Sequence, residues 1–268
     1  MSTKSRGIRI GSSEAVLAIL VAAFLAIPGG SVRAGEIFKL DFSTEDDFLT
    51  PLVNGQDIST PSEFGRLVSI SSIGTQHRGP AIFDSTPSGP NALGPDPDLL
   101  VNLGKILILQ STTAGMQTVP GIFDVPNDDA DGGTLVFDFT SPFRMLAIDL
   151  IDIDAPNQGV IVKMIDGANR TRTYTVPPQW SYDIRHAPSS DGYSTLDLTT
   201  LLPQIGEAGG IATVVEMAEF DAAAVTRMTV EFLGSGAMDN LVFAPEPSSL
   251  LLLAIGGAAL LRRRRMRA

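Results

Sequence analysis

The chain has no cysteine in its 268 residues. That excludes disulfide staples, thiol nucleophiles and the cysteine-based zinc and iron–sulfur sites. Histidine is nearly absent as well, with only His77 and His186, and Trp180 is the single tryptophan. No H-E-x-x-H spacing, G-x-S-x-G elbow, P-loop or dinucleotide fingerprint occurs. His186, Ser189 and Asp191 make a triad on paper, but they crowd into one Pro-Ser-Ser-Asp-Gly loop that reads as a turn. Paired carboxylates for glycoside hydrolysis need a spatial separation of about 5 to 9.5 Å, which sequence does not supply. The expectation is therefore a protein that is not an enzyme.

Basic residues are also few, 19 Lys and Arg against 30 Asp and Glu, for a net charge of −11. They are concentrated at the two ends. Lys4, Arg6 and Arg9 precede an apolar stretch from Ala15 to Ile27, which Pro28-Gly29-Gly30 terminates. Val32-Arg33-Ala34 then places small side chains where a signal peptidase reads them, so residues 1–34 are predicted to be a signal peptide cleaved after Ala34. The alternative is an uncleaved anchor, but an apolar stretch of about 13 residues is short of the roughly 20 that span a bilayer. At the other end Pro245-Glu246-Pro247 precedes an apolar run, Ser248–Leu261, and then Arg262, Arg263, Arg264 and Arg265. As a helix that run is about 21 Å long at ~1.5 Å per residue, thin for a hydrocarbon core of about 30 Å. Val242, Phe243 and Ala244 would lengthen it, but Pro245 and Pro247 interrupt a helix there. The arginines hold the cytoplasmic side, and Gly256-Gly257 weakens the helix midway. A short C-terminal transmembrane helix is expected, either a simple tail anchor or a segment held only until processing.

The order Pro245-Glu246-Pro247, apolar segment, arginine cluster resembles the PEP-CTERM sorting signal of Gram-negative bacteria. The resemblance implies recognition by an exosortase-type membrane transpeptidase, passage through the inner membrane, and delivery to the cell surface or extracellular matrix. It covers about residues 245–268 and implies no biochemical activity. Segments between residues 80 and 243 are similar to ectodomains of uncharacterised PEP-CTERM proteins, among them Asp128-Asp129-Ala130-Asp131-Gly132-Gly133-Thr134 and the closing Gly236–Phe243.

Between the two ends, 35–244 forms one domain, large enough to bury a full core. With the ends removed, 10 basic residues face 28 acidic ones, a charge of about −18. Such a surface repels nucleic acid and favours cations. Short runs read as strands: Ile37–Phe42, Leu67–Ser71, Ala81–Asp84, Ile106–Gln110, Gly133–Phe139, Met145–Asp154, Val160–Ile165, Thr171–Val176, Ser194–Asp197, Met228–Phe232 and Asn240–Phe243. Their spacing predicts an all-β fold, an antiparallel β-sandwich of jelly-roll type. Glu207–Ala224 is the one helical stretch, but Gly209-Gly210 and Thr213-Val214-Val215 within it leave a short helix and a strand both open. Ser85–Asp98 is a long loop of the kind that often carries function.

Two chemistries remain. Asp128, Asp129 and Asp131 share a loop, Asp96 and Asp98 flank Pro97, and Asp152 and Asp154 stand two apart on an expected strand, which points both to one face. Ca²⁺ takes six to eight such oxygens, although Asp and Gly are also ordinary turn residues. Trp180 and Tyr182 are candidates for stacking on sugar rings, against the reading of Trp180 as a core anchor. The leading expectation is a non-enzymatic exported surface or matrix protein. The alternative is a calcium-assisted carbohydrate-binding module acting on extracellular polysaccharide.

Overall fold

Period-two alternation, punctuated by Gly, Pro and Asp, produces twelve strands and no α-helix among the residues that the computed structural model describes, 36–59, 63–74, 76–156 and 158–245. In chain order they are β1 (Phe38–Leu40), β2 (Val68–Ile73), β3 (His77–Asp84), β4 (Lys105–Ser111), β5 (Gly133–Ile151), β6 (Val160–Asp166), β7 (Thr171–Val176), β8 (Tyr193–Asp197), β9 (Gln204–Ile205), β10 (Ile211–Glu216), β11 (Val225–Phe232) and β12 (Ala237–Pro245). Every pairing between them is antiparallel. They form one hydrogen-bonded network in the order β3-β4-β12-β5-β11-β6-β7-β10-β9, with β1 on β12 and β2 and β8 on β5.

β5 organises this network. Gly133–Phe139 and Met145–Asp154, expected as separate strands, are one continuous strand that ends at Ile151. Pro142 lies where the partners change: residues 133–139 run between β2 and β11, and residues 145–151 between β8 and β12. A proline donates no ladder hydrogen bond and suits such a switch. Extended straight, 19 residues would reach about 60 Å at ~3.3 Å per residue. Yet Gly133 pairs with Phe232 and Ile151 pairs with Ala237, and only Leu233–Gly236 separates those two partners. The strand must therefore turn back on itself.

The two sides of the β3-β4-β12-β5 wing bury different sets. Ile82, Leu107, Leu109, Met238 and Leu150 join the main core with Phe137, Phe143 and Trp180. The alternate residues Ala81, Ile106, Ile108, Ala237 and Ile151 face a second cluster, which Leu99 and Val101 cover from the loop between β3 and β4. Phe137, Phe139, Phe143 and Phe232 are core residues as expected.

Val242 and Phe243 lie in β12, within the strand expected at Asn240–Phe243, and pair with β5 together with Ala244. Other expectations are resolved or corrected. Part of Glu207–Ala224 is β10, an edge-side strand paired with β7, and Gly209 (φ 93°) lets the chain turn into it from β9. Asp152 and Asp154 do not share a strand face, because Asp152 takes a left-handed conformation (φ 58°) just past β5. No helix among the described residues is long and apolar enough to cross a membrane. Ala34, the run Ser248–Leu261, Glu246, Pro247 and Arg262–Arg265 lie outside the described residues.

Candidate functional site

Connections that leave the sheet after β4, β5, β7 and β11 meet at one end of the network. The loop between β3 and β4 folds over the outer face on its Leu99 and Val101 anchors and brings Asp96 and Asp98 to the same end. At the centre is Asp128. Its Oδ2 accepts hydrogen bonds from Ser235 Oγ at 2.5 Å and from the Gly236 amide at 2.6 Å, tying the β4–β5 connection to the β11–β12 turn. Ser235 Oγ also lies 3.0 Å from Asp152 Oδ2. The Asp128 amide donates to Asp96 Oδ2 at 3.3 Å.

Asp96, Asp128 and Asp152 are all buried. Burial, reinforced by hydrogen bonding to and repulsion from Asp128 and Asp98, drives the Asp96 carboxyl far above the carboxylate range. Burial and the charges of Asp98, Asp128 and Asp154 push Asp152 up to about 8, with the Ser235 hydrogen bond opposing. This end of the molecule therefore carries carboxyls that hold their protons near neutrality.

Arg185 borders the knot on one side. Arg185 Nη2 reaches Asp98 Oδ2 at 2.6 Å and Asp183 Oδ2 at 3.1 Å. Asp183 Oδ2 also contacts His186 Nδ1 at 2.5 Å. Burial disfavours ionisation of Asp183, but hydrogen bonds from Arg185 and His186 outweigh it and hold the carboxyl below its ordinary value. Next to these groups opens a cavity of about 390 Å³ lined by Asp154, Gln179, Ser181, Tyr182, Asp183 and His186, among others. Burial, then the charges of Asp183 and Asp98, raise the Asp154 carboxyl on its wall. Ser181 is buried and its hydroxyl accepts the Ile153 amide. His186 pairs with Asp183 and not with Asp191, whose amide is held by Glu207.

The structure thus gathers Asp96, Asp98, Asp128, Asp152 and Asp154 from three separate stretches of sequence. Asp129 and Asp131 are not part of the group. Asp129 accepts the amides of Thr112 and Asp131 and forms a turn, and Asp131 is exposed. No three Asp, Glu or His side chains among the described residues converge closely enough to hold a metal ion unaided. Trp180 is corrected as a sugar platform: it is 0% exposed, with Nε1 donating to the Ser194 carbonyl, so neither ring face is available. Tyr182, 43% exposed on the cavity wall, keeps that role open. Ser235, Asp183 and Arg185 were not singled out by sequence. A Gly-Ser-Gly turn and an Asp-x-Arg-His run carry no signal until the loops are brought together.

No curated protein matches the chain. Residues 244–265 match the family model described as the PEP-CTERM protein-sorting motif, which marks an exported protein handled by exosortase-type machinery.

Proposed function

We propose that the chain is a non-enzymatic protein of the cell surface or extracellular matrix of a Gram-negative bacterium. A signal peptidase removes residues 1–34, and an exosortase-type transpeptidase then processes the tail during a transient stay in the inner membrane. The sorting motif at 244–265 is the observation that carries this reading. We infer that the two wings joined through β5 face each other as a sandwich, which the shared core of Phe137, Leu150 and Met238 supports. The experiment is to replace 246–268 by a neutral sequence and fractionate the producing cells. The replaced chain is expected to disappear from the outer surface, whereas an unchanged distribution overturns the sorting role.

The second reading is a module that binds extracellular polysaccharide, favoured by the cavity beside Tyr182. Such cavities of about 300–1,000 Å³ hold ligands through a few polar groups and an apolar wall. Here Gln179, Asp154 and Asp183 supply the polar groups and Tyr182 the ring. Calcium at the Asp96–Asp128–Asp152 knot would replace protons with a stronger neutralising charge and stiffen the loops that frame the cavity. Tyr182→Ala is expected to weaken binding to the producer's polysaccharide by about 2- to 12-fold, from ~0.5–1.5 kcal/mol of lost ring contact, without a change in melting temperature. Equal retention of both proteins on that polysaccharide would overturn the reading.

A further inference from the structure

Away from this knot, β5 and β12 set two aspartates against each other. Asp149 and Asp239 are direct cross-strand partners, so their side chains leave the same face with Cβ atoms about 4.5–5.5 Å apart. Like charges in that relation are destabilising, and here both are buried, Asp149 at 6% and Asp239 at 0% exposure. Their surroundings differ. Asp149 is engaged at both oxygens, Oδ1 by Thr195 Oγ1 at 2.5 Å and Oδ2 by Asn240 Nδ2 at 2.6 Å. Neither oxygen of Asp239 has a hydrogen-bond partner. These two atoms are the only buried, unpartnered side-chain polar atoms among the described residues. A native fold that satisfies its other buried polar groups has a reason for the exception.

A shared proton would link the two carboxyls by a hydrogen bond, and no such bond is present. Lys39 acts on Asp239 only through its field and forms no ion pair with it among the described residues. Asp41, just past β1, adds a third negative charge in range. Burial raises the Asp239 carboxyl to about 8, with the Asn240 backbone opposing, but a proton on Asp239 alone would remove its charge and still leave an oxygen without a donor. A neutral donor could bond to the oxygens but would leave any charge uncompensated. A cation does both. The backbone supports the same conclusion, because the β5–β12 register shifts between Asp239 and Val242, and Asn240 is left-handed (φ 51°). A bulge takes a residue out of the ladder and bends the strand, here directly beside the two carboxylates.

We propose that Asp239 and Asp149 bind a hard divalent cation, Ca²⁺ by preference, at the β5–β12 pairing. Two carboxylates and neutral oxygens suffice, because Ca²⁺ accepts six to eight oxygens in irregular geometry whereas Mg²⁺ demands a near-ideal octahedron. The site is separate from the Asp96–Asp128 knot and independent of the sorting and polysaccharide readings. It crosslinks the last strand to the strand that both wings share.

The test is calorimetric titration of the full-length chain, solubilised in detergent and stripped with chelator, using CaCl₂ alone and then MgCl₂ alone. Wild type is expected to bind Ca²⁺ more tightly than Mg²⁺. Asp239→Asn and Asp149→Asn are each expected to weaken the β5–β12 event by about 100-fold or more, since even outer-layer changes around metals cost 10–100-fold. Asp128→Asn should leave that event unchanged, which separates it from any binding at the knot. No Ca²⁺ binding by wild type, or equal binding by Asp239→Asn, overturns the site. Should both amide variants fail to fold, hydrogen exchange on wild type decides: Ca²⁺ must slow exchange in 237–245, and unaltered rates there overturn the proposal.

Discussion

Asp152 is a carboxyl whose environment favours its neutral form, and that gives it a pH signature. Its pKa stands near 8 in the fold, against an ordinary value of 3.8. Between about pH 4 and 8 the folded chain holds a proton that the unfolded chain has released, so stability falls as pH rises through that window. The limiting slope for one such group is about 1.4 kcal/mol per pH unit. Asp152→Asn keeps the shape without the charge. In urea melts with chelator present, the variant is expected to gain on wild type steadily from pH 5 to pH 8. A constant difference between the two would show that Asp152 ionises normally. The aspartates at this end were legible from sequence as a class, because Asp beside Gly and Pro in loops is visible. Their mutual contact was not, since Asp96, Asp128 and Asp152 meet only through the fold. Asp239 was invisible for a different reason: an aspartate inside an alternating strand reads as the solvent face, and here that face is buried.

At the level of single elements, the β6–β7 hairpin shows how one side chain fixes a turn. Asp166 Oδ1 accepts the Ala168 and Arg170 amides at 2.9 Å each, and Oδ2 accepts Arg170 Nε at 2.7 Å and the Asp221 amide at 3.0 Å. Burial opposes ionisation, but these donors outweigh it and bring the pKa down to about 2. Its contribution is therefore present above the ordinary value of 3.8 and is lost as pH falls toward 2. Asp166→Ala strips partners from donors in two turns and is expected to cost about 3 kcal/mol or more, at roughly 1.5–3 kcal/mol per hydrogen bond to a charged group. Chemical denaturation at pH 7 measures it, and a loss under about 0.5 kcal/mol, typical of surface changes, would contradict the role. Most strands were legible because their alternation is local. The continuity of β5 was not, because Thr140-Ser141-Pro142 reads as a break when only neighbouring residues are considered. β10 was obscured by Gly209-Gly210 at its start and by its exposed edge position, which weakens the alternation to Ala212 and its neighbours.

For the whole molecule, the junction between fold and sorting tail has no spacer. The matched motif begins at residue 244, while β12 runs through Pro245, which pairs with Phe143. β12 is an interior strand, bonded to β5 along one edge and to β4 and β1 along the other. It contributes Met238, Leu241 and Phe243 to the main core. The domain cannot complete its sheet until this last segment is in place, so folding and tail recognition operate on adjoining residues. A cut beyond Pro245 removes nothing that the described fold uses. A cut before Ala237 removes an interior strand and three core side chains, each worth about 2–5 kcal/mol when reduced to alanine, against a typical total of about 5–15 kcal/mol. Chains ending at Pro245 and at Gly236 separate the two cases. The first is expected to melt cooperatively at the same temperature as the full chain, and the second to show no cooperative transition and rapid proteolysis. Processing of the tail is then free of any stability cost only if it occurs on the C-terminal side of Pro245.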